Sequence, residues 1–329
     1  MRIFAFEYVT AGGWRDIGAS ASLVAEGAMM LGALVRDLAS LPGVSVVVAH
    51  DPETGRPPPG ATPSMTAPGD RWGAWRAIAE RCDAVWPIAP ETGGVLEDVT
   101  AMAIAAGRIV LNSRGAALAI CRSKQATARE LARHGIPVVP TLPLGAPPPT
   151  VCEGWVVKPD DGAGAADTLL VSDRAILDRC VLARNDGRHV LQPYVAGEPL
   201  SVSLLAQDGA GWLLSCNRQR VAVADATFRY CGGIVAGAED RRAVLTPLVQ
   251  RIAAALPELW GYVGVDLVDG PQGPMVLEIN PRLTTSYVGL ADSISINPAG
   301  LVLALLEHRL TELMRPLAPR AIDVAVPVA

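Results

Sequence analysis

The chain has 329 residues, 50% of them hydrophobic and 19% charged, with a net charge of −5. That is enough chain for two or three domains with buried cores. No Lys/Arg cluster stands out, which disfavours nucleic acid as a partner, and the longest apolar runs, such as 300–306, fall far short of the roughly 20 residues that span a bilayer.

The chain opens with an apolar run, Arg2 to Phe6, that reads as a strand, followed by a turn at Ala11–Gly12–Gly13. A helical stripe comes next: Leu23, Gly27, Met30, Leu31, Leu34, Leu38 and Leu41, stopped by Pro42–Gly43. Val44 to Ala49 is a β-branched run of the buried-strand type. Strand, helix, strand is a βαβ unit of a parallel sheet. The Pro-, Gly- and Thr-rich stretch 51–70 reads as a surface loop. A helix over 74–82, a strand over 84–88, a helix over 96–106 and a strand over 109–111 then complete one open α/β domain, residues 1–112.

From Ser113 the texture becomes α+β. A helix carrying Lys124, Thr127, Leu131 and His134 ends at Gly135, and Pro147–Pro148–Pro149 marks a loop. Strand-like segments fall at 155–158, 168–171, 189–192, 200–206, 212–216, 263–268 and 274–280, and 298–310 is helical again. Six cysteines (Cys82, Cys121, Cys152, Cys180, Cys216 and Cys231) show no C-x-x-C spacing, the pattern of reduced thiols, and nothing after Met1 resembles a signal peptide. The expected location is cytoplasmic. His50, His134, His189 and His308 have no convincing partner spacing, so packing or surface roles are expected for them.

Between Gly261 and Arg282 two strand-like runs flank a turn containing Asp269–Gly270 and Gly273–Pro274. A hairpin centred near Gln272 puts Asp266 opposite Glu278, with Asn280 on the same face as Glu278. Like charges directly opposite destabilise a hairpin unless something cancels them, and a hard divalent cation does so while sharing its ligands with nucleotide phosphates. Arg282, just beyond the strand, is within reach of the same phosphates. An ordinary acidic hairpin with solvated faces is the competing reading, and a one-residue change of register would separate the two acids.

Upstream, Lys158 ends an apolar strand and precedes a small-residue loop, Asp161-Gly162-Ala-Gly164-Ala-Ala-Asp-Thr168, whose amides can approach phosphate oxygens. It matches neither the P-loop nor the dinucleotide fingerprint. Lys124 stands at a helix start with Ser123 as its cap. Gln192-Pro193-Tyr194-Val195 joins two strands, with Glu198 close behind. A solvated lysine, a plain glycine turn and a surface acid are the ordinary readings of these three features taken singly.

Taken in order, these segments resemble the ATP-grasp superfamily. That resemblance implies an ATP-grasp fold behind an N-terminal open α/β (pre-ATP-grasp) domain, with a small subdomain over 113–190 and a large one over 191–329. It implies that Lys124 and Lys158 grip phosphates and that Asp161, Gly162 and Gly164 belong to a lid. Gln192, Pro193, Tyr194, Val195, Glu198 and Leu277 would hold the adenosine, while Asp266, Glu278 and Asn280 would bind Mg²⁺, as two ions that Mn²⁺ can replace.

The segments Phe6-Glu7-Tyr8-Val9-Thr10, Gly12-Gly13, Glu26-Gly27, Met30-Leu31, Lys158 to Gly164, Leu214 to Gln219 and Leu277 to Tyr287 are similar to those of the tyramine–L-glutamate ligases of methanofuran biosynthesis. The sequence departs from that pattern at Ala165–Ala166. The resemblance implies a carboxylate–amine ligase working through an acyl phosphate, joining the γ-carboxylate of glutamate to tyramine, tyrosine or a similar aromatic amine. Arg282 and Arg220 would then stabilise the transferring phosphoryl group. Glu7, Thr10, Gly12 and Gly13, at the end of the first strand, and Thr284, Thr285 and Ser286 would contact substrate. Partners would be small molecules, with a homodimer compatible. The competing functions are a biotin-carboxylase-like carboxylase and a non-catalytic ATP-binding module.

Overall fold

The computed structural model describes residues 1–66, 69–149, 153–162, 164–184, 186–313 and 317–327. Five parallel strands form the first sheet: β1 (Arg2–Glu7), β2 (Ser45–His50), β3 (Ala61–Met65), β4 (Ala84–Ile88) and β5 (Ile109–Val110), in the order β3-β2-β1-β4-β5. Parallel strands covered on both faces need continuous apolar runs, and Ile3 to Phe6 are fully buried. The stretch 51–70, expected as a loop, contains β3. Proline hid it: Pro63 is tolerated because β3 is a half-exposed edge strand paired only with β2.

The helix Ala21–Ala39 covers this sheet. Ser20 caps it, its hydroxyl accepting from the Leu23 amide at 3.2 Å, and Met30, Leu31, Leu34 and Leu38 face inward. Gly27 is required by close approach, since a Cβ there would stand 2.7 Å from the Glu7 carboxyl.

The second sheet has ten strands: β6 (Leu142–Pro143), β7 (Trp155–Pro159), β8 (Leu169–Val171), β9 (His189–Pro193), β10 (Glu198–Gln207), β11 (Ala210–Ala224), β12 (Thr227–Val235), β13 (Gly261–Gly270), β14 (Gly273–Asn280) and β15 (Ile322–Ala325). Their order is β14-β13-β10-β11-β12-β8-β7-β9-β6, with β15 added beside β12. The strand expected at 212–216 is the first half of the much longer β11, and β12 was not expected at all. The divide expected between 190 and 191 falls inside β9, which pairs with β7 and β6.

Two helices also escaped the sequence reading. Arg174–Ala183 is capped by Asp173, and Arg242–Ala255 carries Pro247, which interrupts its helical appearance. The latter buries Leu245, Leu248, Val249 and Ile252 beneath the sheet, against Val202, Leu204 and Leu213. Full burial of each such side chain contributes about 1.5–3 kcal/mol. The C-terminal helix expected over 298–310 ends at Leu306.

A second core joins the domains, packing Leu31, Leu34 and Trp86 with Tyr262, Tyr287 and Leu301. Ser113 strengthens the seam: its Oγ accepts from the Trp260 amide at 3.0 Å. Cys82, Cys121, Cys180 and Cys216 are buried free thiols and Cys231 is a partly exposed one; Cys152 lies outside the described residues. No single helix among the described residues is long and apolar enough to cross a membrane.

Candidate active site

A cavity of about 430 Å³ opens on one face of the second sheet. It is bounded by β7, β9, β13, β14, the loop 162–168 and the helix Ala21–Ala39 of the first domain.

The hairpin β13–β14 positions its acids through a bulge. From the turn upward Gly270 pairs with Gly273, Asp269 with Pro274 and Leu267 with Val276. In strict alternation Asp266 would then meet Leu277. Instead Leu277 is the extra residue, and Asp266 pairs with Glu278. Consecutive residues Leu277 and Glu278 therefore both line the cavity. The opposition expected from a hairpin centred on Gln272 is present, and the bulge is what produces it.

Around this pair the contacts are short. Asp266 accepts from the Gln219 amide at 2.8 Å and from the Asn280 amide at 3.1 Å, and Lys124 Nζ lies 3.0 Å from Glu278 Oε2. Burial, then the Glu278 charge, pushes the Asp266 carboxyl up to about 8. Glu278 is held down to about 2: burial works against ionisation, but the charges of Lys124 and Lys158 outweigh it. The pair thus retains one proton when no divalent cation is present. Two facing carboxylates and the Asn280 amide oxygen are donors of the type a hard cation takes. Among the described residues no group of three or more His, Cys, Asp or Glu is placed to hold a metal ion by itself. The protein supplies two carboxylates and an amide, and further oxygens would come from phosphates.

The lysines approach from two elements. Lys124 opens the helix Lys124–Arg133, whose cap Ser123 accepts from the Ala126 amide at 3.0 Å. It also donates to the Gly162 carbonyl. Lys158, at the end of β7, is buried, and that burial lowers its ammonium to about 8. Arg282 is fixed from the other domain: its Nη2 lies 2.8 Å from Glu91 Oε2. It also lines the cavity, where a guanidinium suits an anion.

At the other end of the cavity Gln192 is buried and donates to Thr141 Oγ1 at 2.8 Å, and Pro193, Tyr194 and Val195 form the wall. Val139, Val156, Val268 and Leu277 make this end apolar. Gly162 and Gly164 line the lid side; Thr284, Thr285 and Ser286 close the end near Arg282.

Other expected residues are elsewhere. Arg220 pairs with Asp323 on β15, because Gln219, Val221 and Val223 turn toward the cavity and the residue between them turns away. Glu198 pairs with Arg218 rather than facing the cavity. Asp161 accepts from the Gly93 amide at 3.0 Å, fastening the lid base to the first domain. Glu7 is spent on its own turn, accepting from the Val9 and Thr10 amides at 3.0 and 2.7 Å, and Thr10, Gly12 and Gly13 are buried in that turn. His189, expected to lack a partner, stands between Asp167 and Asp186.

Glu26, Gln219 and Tyr230 line the cavity and were not assigned from sequence. Period two from Asn217 would have suggested Gln219; Glu26 and Tyr230 arrive through tertiary packing.

With this architecture in view, similarity to known proteins is specific. Residues 121–286 match the ATP-grasp domain and residues 44–118 the pre ATP-grasp 3 domain. The chain belongs to the ATP-grasp family. It is 32% identical over 111 residues to the tyramine–L-glutamate ligase of Methanocaldococcus jannaschii, a match spanning about a third (34%) of each chain. A crystal structure of a protein from Archaeoglobus fulgidus, described as of the ATP-grasp superfamily, superposes with a TM-score of 0.69 at 25% identity, covering 92% of this chain and 88% of that one. The L-amino acid ligase of Bacillus licheniformis shares the fold, with a TM-score of 0.65 and 18% identity over 96% of this chain and 77% of its own.

Proposed function

We propose that the protein is an ATP-dependent, ADP-forming carboxylate–amine ligase that works through an acyl phosphate. The observation that carries this reading is the convergence of Asp266, Glu278, Asn280, Lys124, Lys158 and Arg282 at one end of a single cavity whose other end is apolar. An adenine fits the apolar end, against Val139, Val156 and Leu277 and beside Gln192 to Val195. Asp266, Glu278 and Asn280 would hold Mg²⁺, with Mn²⁺ an expected substitute, and the ion would supply charge neutralisation at the phosphates.

Lys124 and Lys158 neutralise the phosphate charge that remains. The substrate carboxylate attacks the γ-phosphorus in line, a step governed by positioning and electrostatics. Arg282, held by Glu91, lies at the end of the cavity that would take the transferring phosphoryl group. The amine nitrogen then bonds to the acyl carbon, the C–O bond to phosphate breaks, and the nitrogen loses a proton. Loop 161–168 excludes water from the intermediate.

The similarity to a tyramine–L-glutamate ligase supports glutamate, through its γ-carboxylate, as the acid, and tyramine, tyrosine or a related aromatic amine as the nucleophile. The test is phosphate release from ATP and Mg²⁺ with glutamate and a panel of aromatic amines, with product mass as the second readout. Release at the substrate-free rate across the panel would discard the glutamate ligase.

A further inference from the structure

Three carboxylates line the cavity, Asp266, Glu278 and Glu26. The first two are engaged by Gln219, Asn280 and Lys124. Glu26 differs. It projects from the helix Ala21–Ala39, its carboxylate accepts from the Thr285 hydroxyl, and it forms no ion pair among the described residues. Arg282, close enough to feel the Glu26 charge, gives its Nη2 to Glu91 instead.

The surroundings of Glu26 are specific in character. The Tyr230 phenol is pushed up first by burial and then by the charges of Glu26 and Asp266, while nearby Thr285 acts in the opposite sense. It therefore stands near both carboxylates. Across β11 and β12, Val221 pairs with Tyr230 and Val223 with Phe228, and all four side chains line the cavity. An unpaired anion, two hydroxyls and an apolar, aromatic strip lie side by side. A substrate carboxylate would be repelled from Glu26 and drawn to Arg282. A primary ammonium on an apolar or aromatic body fits the opposite way.

We infer that Glu26 is the receptor for a substrate ammonium group, set beside the phosphoryl-transfer centre by Thr285 and Tyr230. This deepens the ligase reading and rests on it. An ammonium has two sources in such a reaction, the acceptor amine or the α-ammonium of an amino-acid donor. In the first case Glu26 also takes one proton from the ammonium to free the attacking lone pair, and the second proton leaves the nitrogen as the C–N bond forms and goes to the departing phosphate.

The experiment uses the full chain, wild type and Glu26→Gln, with ATP and Mg²⁺. Tyramine is compared with hydroxylamine, uncharged at neutral pH, as nucleophile; L-glutamate is compared with glutarate as acid. The variant is expected to lose about 10- to 100-fold more kcat/KM for the ammonium-bearing member of one pair than for its counterpart without an ammonium. Glu26→Asp should restore part of that difference. A differential loss in the tyramine pair assigns the acceptor, and one in the glutamate pair assigns the donor. Equal losses in every arm mean that Glu26 only supports the Thr285 loop, and overturn the inference, as does no loss. If wild type releases no ADP with any pair, the ligase reading falls separately. Calorimetric titration of tyramine and of glutamate into the ATP-loaded proteins then decides, and affinities unchanged by Glu26→Gln overturn the receptor.

Discussion

Lys124 and Glu278 form an ion pair at 3.0 Å, with side chains only 8% and 21% exposed. In the proposed ligase each is needed elsewhere once a nucleotide arrives, the ammonium by phosphate and the carboxylate by the metal. Lys124→Met removes the counter-ion and leaves two facing acids. Losing one partner of a buried pair costs about 3–5 kcal/mol, so the nucleotide-free variant should melt several degrees lower. The double variant Lys124→Met/Glu278→Gln should recover part of that loss, and a melting point below both single variants would count against the pairing.

Asp266→Asn and Glu278→Gln each keep the shape of the hairpin and remove a charge from the cation site. Turnover should fall by about 10³-fold or more in each, as expected when charge stabilisation of a phosphoryl-transfer site is lost. Steady-state ADP release measures this, and full activity in either variant would sink the metal assignment.

The Asp266 carboxyl, raised to about 8, makes stability pH-dependent in a definite direction. A group whose folded value lies above its unfolded value stabilises below the unfolded value and loses that contribution as pH rises through the folded one. The nucleotide-free protein should therefore melt progressively lower between pH 5 and 8, and Asp266→Asn should flatten the slope. Lys158, lowered to about 8, acts in the opposite sense only above that pH. Mg²⁺ should bind more tightly as pH rises toward 8 and release a proton, which calorimetry in buffers of different ionisation enthalpy would detect.

Glu91 touches Arg282 across the domain seam, both side chains being nearly buried. Glu91→Gln should lower kcat by about 10- to 100-fold through misplacement of the guanidinium, with a smaller effect on the KM for ATP. A pure KM effect would contradict a positioning role.

Ala165 has a left-handed backbone, φ 60°, inside the lid. The conformation costs a non-glycine residue about 1–2 kcal/mol, so Ala165→Gly should be tolerated or slightly stabilising, whereas Ala165→Val should slow ligation. Thermal melts and single-turnover rates report both.

That Lys124, Lys158, Gln192 to Val195, Asp266 and Glu278 line one cavity was readable from their order in the sequence. Each sits on a local pattern: a helix start, a strand end, a hairpin. What escaped depends on neighbours far away in sequence. Arg220 has the right chemistry, but β11 turns it toward Asp323. Glu7 ends a parallel strand where ligands usually bind, yet its own turn consumes the carboxylate. Glu26 is one acid on a helix face, and only docking of the two domains brings it to Thr285.

The extra residue at Leu277 has a consequence for how this protein can change. A hairpin of the same length with no bulge would bring Leu277 opposite Asp266 and turn Glu278 to the other surface of the sheet. Deleting Leu277 instead restores strict alternation and leaves Asp266 opposite Glu278, so the deletion should spare both acids and remove only a piece of the apolar wall. The spare residue is thus a lining element added to the ladder without disturbing its register. The hairpin can gain or lose that wall while its two acids stay face to face.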